Sequence, residues 1–440
     1  MIFRLFLIGV AFLFPVSCSF VSSKAEGKDN ADSLSCPFYF ISDTSSFLEE
    51  LLRRDPFFEK FLARAAQYEI QIIYTRIDRD SVGCPHFRSY AYRVNEKEYF
   101  NPASFVKLPV TMIALEKLQE LQPQGIDLYT RIRYHASHEC QTPFDMDLTA
   151  PEGFPSLGHL IKRALLVSDD EAYNRLYEFT GQQTLNEKLW QKGYHGTCII
   201  QRFRTCSPDG NRYTNPVDFI DSKGKIIWHQ PMLVNPYSYH NPLGNVRKGK
   251  EHMAADGTIK KEPKDYSYAN CLPLRDLHDM FLSLLFPSSV PSEKCFLTGE
   301  SYRRFVLTQL ALYPFESDIA LYHDRQKYPY NYKKYFLWEN NPSLLCLNVN
   351  AFSHGYMGDC AYIADAGCGV EFILLAVINT NETESIRPEN YQYATVGIPF
   401  LRKLAKKIYE VEKARTKTFL PDFREWDDLL KKRKNETTGK

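Results

Sequence analysis

The stretch Asn101–Pro109, with the apolar run that follows it, constrains this chain more than any other segment. From Phe105 to about Leu121 the apolar residues recur with helical spacing, which predicts a helix with a buried face. At the mouth of that helix stand Ser104 and Lys107. Three residues apart, their side chains share one helical face, with Cβ atoms roughly 5–6 Å apart. The backbone N–H of Ser104 is one of the donors that a helix N-terminus leaves free. A serine is a poor nucleophile until a base takes its proton, and a lysine does so once its amine is held neutral. The pair has the layout of a serine acyl-transfer site. Pro109 inside the run removes a backbone bond and is expected to loosen the first turns.

Around this helix the pattern is α+β. Phe47–Tyr68 reads as a helix, and Ile70–Ile77 and Phe87–Val94 as strands joined by the Asp-rich turn 78–83. Leu157–Leu166, Ala172–Phe179, Leu272–Phe286 and Glu300–Leu312 have helical apolar faces. Leu344–Phe352 and Val370–Ile378 read as strands, the second unbroken enough to be covered on both faces. Strands at both ends and helices between them predict one sheet completed by the C-terminal half. Cys198–Asn270, rich in Pro, Gly, Tyr and Asn, reads as a long loop or insertion. At 440 residues and 44% hydrophobic the chain can bury a large core, as one unit or two subdomains. A net charge of +1 argues against nucleic acid as a partner.

The first eighteen residues read as a targeting segment. Arg4 precedes an apolar run, Leu5–Phe14, that is too short to span a bilayer. Ser17-Cys18 resembles the end of a bacterial lipobox, which implies lipidation at Cys18, an exported protein in the periplasm or outer membrane, and a membrane contact through that lipid anchor. Pro15 departs from that pattern, so plain cleavage and secretion is the alternative. Residues 19–44 are then a tether. Ten further cysteines, an even number, permit several disulfides. His135-Ala136-Ser137-His138-Glu139-Cys140 reads as loop histidines beside a disulfide cysteine rather than a metal site. The aromatic run Tyr328–Trp338 reads as packing, and residues 411–440 as a solvated, frayed tail.

S-x-x-K occurs twice. The second copy, Ser222–Lys225, lies in a polar turn with no helix behind it and carries no weight. The first is followed by Leu165-Leu166-Val167-Ser168-Asp169-Asp170, with Asn174 six residues after the serine. This resembles the S-D-N motif of the class A β-lactamases and penicillin-binding proteins, a family defined by S-x-x-K, S-D-N and K-T-G. Asn270–Leu277 is similar to the T-x-P-x-D-L helix start of the same family. The resemblance covers roughly residues 45–408 and implies a β-lactamase/transpeptidase-like fold. That fold is an antiparallel sheet flanked by helices, with a helical subdomain at about 112–295, in a domain spanning 45–410. By position, Ser104 is the nucleophile, Lys107 its base or proton shuttle, and Ser168 the hydroxyl that protonates the leaving nitrogen. The N–H groups of Ser104 and Tyr356 would form the oxyanion hole. Asp170, Asn174, Ser353, His354 and Gly355 would contact substrate. No cofactor or metal is implied, and the expected form is a monomer acting on a small molecule or peptide, a β-lactam or a cell-wall peptide.

Three departures bear on activity. Ser353 stands where the third motif has lysine, and His354 could replace that cation only when protonated. Asp170 replaces the asparagine of S-D-N, and a carboxylate beside Lys107 favours the ammonium. Between Glu187 and Glu251 there is no glutamate to activate a deacylating water, and Asp209, Asp218 and Asp221 sit in no suitable motif. Slow deacylation follows. The rival readings are a decayed site that binds cell-wall peptides or a protein partner, and an esterase or D-aminopeptidase-type hydrolase.

Overall fold

The computed structural model of the protein describes residues 36–204 and 206–438. The targeting segment, Cys18 and the tether up to Ser35 lie outside the described residues.

Period-two alternation builds a six-stranded sheet. Its order is Tyr39–Asp43, Pro85–Tyr92, Gln71–Arg79, Val370–Asn379, Tyr356–Asp365, Leu344–Ser353. Ile73, Leu375 and Val377 face one core; their neighbours Ile72, Tyr74, Leu374 and Ala376 face the other. Both faces are therefore covered, as the unbroken apolar run of Val370–Ile378 requires. The first core is closed by the helix Lys107–Leu121 and the helical subdomain. The second is closed by the N-terminal helices and by Ile398–Ala414.

The predicted α+β arrangement is observed, with corrections. The sheet is mixed, because Tyr39–Asp43 pairs in parallel with Pro85–Tyr92. That strand lies inside the expected tether, and Cys84 ties it down through a disulfide to Cys36. Phe47–Tyr68 is two helices, Phe47–Arg53 and Pro56–Ala63. Asp55 caps the second by accepting from the Phe57 N–H at 3.0 Å, with Pro56 at its first position. Pro109 does not loosen its helix. It falls in the first turn, where a missing N–H costs no intrahelical bond.

The subdomain is not all helical. Arg131–Tyr134, Val217–Ile220 and Ile226–Gln230 form a small antiparallel sheet, and the rejected Ser222–Lys225 match is the turn within it. The rest of the 198–270 insertion carries strands of two or three residues and the 3₁₀ turn Gly210–Arg212. The C-terminal segment is docked rather than frayed. Arg433, 4% exposed, donates to the buried Glu316 at 2.6 and 2.7 Å and to the Ala311 carbonyl at 2.8 Å. Trp426, Leu429 and Leu430 lie against the first core. In the aromatic run, Tyr335, Phe336 and Leu337 are core residues, as expected.

Candidate active site

A single 3₁₀ turn, Ala103–Val106, feeds the helix that starts at Lys107 and holds Ser104 at the floor of a cavity of about 620 Å³. Two backbone outliers mark this floor. Ala103 has φ +43° and Ser168 has φ +58°, a region that non-glycine residues adopt at a cost of about 1–3 kcal/mol. The neighbouring structure holds both. The Asn101 side chain accepts from the Ala103 N–H at 2.9 Å, and Asp169 caps the helix Asp170–Thr180 directly after Ser168.

Lys107 joins the first two motifs. Its Nζ lies 3.0 Å from Ser104 Oγ, 2.9 Å from Ser168 Oγ and 2.7 Å from Asp170 Oδ1, and it also donates to the Ser168 carbonyl. Two opposed effects act on this amine. Burial, at 1% exposure, pushes its pKa down, while Asp170 pushes it up. The net direction is down. Asp170 is 61% exposed on its side chain, so water screens the carboxylate while the lysine has lost its own hydration. The carboxylate expected to oppose a base at this position does not prevail.

A second cation approaches from a segment with no motif. Lys333, in the aromatic run and itself at φ +58°, sets its ammonium 4.0 Å from the centre of the Phe352 ring. Burial first, and then repulsion from Lys107, brings its pKa to about 8. Its position is imposed by its neighbour. Lys334 is buried and donates to the carbonyls of Leu310 and Cys346 and to Asn348, while Asn348 donates to the Lys333 carbonyl and to Asp359. The only cue in the sequence is the doublet Lys333-Lys334 inside a buried aromatic run, where one of the two must find a polar destination.

The cavity wall opposite the sheet is residues 201–204. Asn174, placed among the substrate contacts by position, accepts from the Phe203 N–H at 2.7 Å and is 2% exposed, so it holds the wall and is not part of the lining of this cavity. Behind it, Arg202 and Arg175 flank the buried Glu178 at 2.9 Å each, and Arg204 reaches Glu171 at 2.7 Å. The disulfide Cys140–Cys206 ties the end of this wall to the histidine-bearing loop, the role expected for Cys140. His135 from that loop bonds Asp218 at 2.7 Å.

On the sheet side, Phe352, Ser353 and His354 line the cavity, together with Lys264 and Tyr266 from the insertion. His354 is not a substitute cation. Burial, reinforced by Lys264 and His252, lowers its pKa to about 4. Its Nδ1 lies 3.0 Å from both Asn101 Nδ2 and the Tyr266 hydroxyl. Accepting from both would leave the proton on Nε2. Gly355 serves the turn. It has φ +88°, its N–H donates to the Tyr393 hydroxyl at 2.9 Å, and an added Cβ would stand 2.9 Å from Asn381. Tyr356 opens an inner strand, paired to Ser353 on one side and Asn379 on the other, and its hydroxyl donates to Glu69 at 2.9 Å. It does not line the cavity; the open edge there is the strand Leu344–Ser353. Asp209, Asp218 and Asp221 are likewise absent from the lining, whose carboxylates are Asp170 and Asp265.

Three solved structures and one family model resemble this chain. Among solved structures, a β-lactamase from Desulfarculus baarsii is 13% identical over 84% of this chain and 98% of its own, with a TM-score of 0.46. The protein PBP-A is 12% identical over 85% and 97%, with a TM-score of 0.45. A reconstructed class A β-lactamase of the last common ancestor of Gram-negative bacteria is 14% identical over 83% and 99%, with a TM-score of 0.43. No curated protein matches the sequence. The model of the β-lactamase enzyme family matches residues 59–241, the span that carries Ser104, Lys107 and the Ser168–Asn174 segment.

Proposed function

We propose that this protein is a β-lactamase-like serine hydrolase that forms an acyl-enzyme on a β-lactam or a peptidoglycan-type amide and releases it slowly. The observation that carries the reading is the Lys107 amine, buried and depressed in pKa, within hydrogen-bond reach of both Ser104 Oγ and Ser168 Oγ. In its neutral form Lys107 takes the Ser104 proton as Oγ attacks the carbonyl carbon. The C–N bond then breaks, and Ser168 passes a proton, replenished from Lys107, to the departing nitrogen. The Ser104 N–H, with a donor on the open edge near Phe352 and Ser353, holds the oxyanion. Loss of one such donor typically costs about 10²–10³ in rate.

Slow release follows from the carboxylates. Asp170 is engaged by Lys107. Asp265 accepts from the Ser267 N–H at 2.8 Å and lies 3.3 Å from Arg247, contacts that hold its carboxyl below the usual range and make it a weak base for water. For localisation we infer an exported lipoprotein anchored through Cys18. Support comes from the two disulfides, Cys36–Cys84 and Cys140–Cys206, which suit an oxidising compartment.

Turnover of a penicillin, a D-Ala-D-Ala peptide and an activated ester by wild type and Ser104→Ala tests the reaction class. The expected result is a burst on the penicillin followed by slow turnover, absent in the variant. A burst confined to the ester would move the assignment to an esterase. Unchanged turnover in the variant would remove Ser104 from the chemistry.

A further inference from the structure

Beyond the Ser353–His354 hairpin lies a second cavity of about 260 Å³, whose lining includes Lys264, Phe352, Ser353, His354, Tyr391 and Tyr393. Four of these residues, Lys264, Phe352, Ser353 and His354, also line the cavity above Ser104, so the two spaces share a wall. The lining is apolar and aromatic. Tyr393 stands edge-on to Phe352 at 5.6 Å and lies 5.5 Å from Tyr391, and its hydroxyl is held by the Gly355 N–H. Phe352 is 38% exposed, a phenyl ring left open between the two spaces.

Lys264 is the one charged residue in this lining. No carboxylate among the described residues pairs with it. Its neighbour Asp265 is turned to Arg247 and Ser267, and burial alone pushes the Lys264 ammonium's pKa down, with no carboxylate opposing it. A half-buried ammonium without a counter-charge is poised to take an anion. His354, neutral above pH about 4, neither competes for that anion nor adds a second charge.

We propose that this compartment is a substrate subsite that receives a carboxylate attached to an apolar or aromatic segment, with Lys264 as its cation and Phe352, Tyr391 and Tyr393 as its apolar walls. The inference rests on the acyl-transfer reading of Ser104 only in making the ligand part of a substrate. The subsite is assembled from Lys264 in the insertion, the hairpin and residues 386–393, and none of these lining residues falls in the span 59–241 that matches the family model. The cation absent from the third motif at Ser353 is thus supplied by a segment about ninety residues earlier in the chain.

Ligand-observed NMR titration with 4-phenylbutyrate and its uncharged amide, 4-phenylbutyramide, tests the proposal on wild type, Ser104→Ala, Lys264→Gln and Tyr393→Ala. The acid should bind wild type and Ser104→Ala alike. It should bind Lys264→Gln and Tyr393→Ala at least about tenfold more weakly, the effect of losing one charge-assisted contact or one aromatic wall. The amide should bind about tenfold more weakly than the acid and ignore the lysine substitution. Equal binding of acid and amide, retention of acid binding by Lys264→Gln, or no acid binding to wild type would each overturn the proposal. The Ser104→Ala arm involves no chemistry. Acid-selective binding in a protein that never acylates would retire the proposed reaction and keep the subsite. Acylation without acid selectivity would do the reverse.

Discussion

The floor of the site and its sheet-side wall are built on opposite plans. On the floor, Ser104, Lys107, Ser168 and Asp170 come from two short segments, and their contacts follow from spacing along a helix and across one loop. On the wall, Ser353 and His354 carry no charge at neutral pH, and the cations nearby, Lys264 and Lys333, arrive from a loop-rich insertion and an aromatic run. The floor is a local property of the chain; the wall is a tertiary one. On the proposed reading, acyl transfer belongs to the first plan and charge recognition to the second, so the two are separable by substitution.

The largest effect is expected on the floor. Lys107→Met should lower the acylation rate by about 10²–10⁴, the usual range for a general base, while leaving the melting temperature within a few degrees, since the side chain stays buried and Asp170 is open to water. A loss below tenfold, measured by stopped-flow acylation, would break the contrast by making the floor dispensable. Next, Asn174→Ala strips the Phe203 N–H of its acceptor inside the wall and should cost about 1–3 kcal/mol in chemical denaturation. It should raise the substrate concentration needed for half-maximal acylation more than it slows the acylation step.

A smaller and more diagnostic effect concerns pH. In the proposed mechanism acylation requires neutral Lys107, so its acid limb should follow the lysine pKa. Asp170→Asn removes the carboxylate that raises this pKa, and the limb should move to lower pH. Lys333→Ala should leave the limb in place, because burial and the carboxylates of Asp170 and Asp169, not Lys333, set the Lys107 pKa. A limb that moves with Asp170→Asn and not with Lys333→Ala keeps the two regions separable; a limb that moves with both would contradict this. Smallest of all, His354→Asn should leave the acid limb unmoved between pH 5 and 8, because the imidazole is already neutral there.

What was legible in the sequence tracks the same divide. S-x-x-K and the Ser168 segment are local, so resemblance to the motifs of a known family points to Ser104, Lys107, Ser168 and Asp170, which S-x-x-K spacing alone, present twice in the chain, does not. The strands Gln71–Arg79 and Val370–Asn379 were readable from apolar runs. Asn174 lies in the expected motif yet faces inward, because position within a motif does not say which way a helix face turns. The strand Tyr39–Asp43 escaped detection because three of its five residues are exposed and none is fully buried, which leaves no alternation to read. The buried pair Arg433 and Glu316 was hidden in a charged C-terminal run, since charge patterning does not reveal a partner over a hundred residues away. Lys264 and Lys333 depend on how two loops fold back over the sheet, which no periodicity records.

The central claim is that Ser104 is an acylated nucleophile whose adduct persists. Intact-mass spectrometry of residues 36–440 mixed with a penicillin, followed over time beside Ser104→Ala, tests it most directly. The account predicts one penicilloyl adduct on the wild type alone, stable for many minutes. An adduct that forms equally on the variant, or none on the wild type at any concentration, would contradict it.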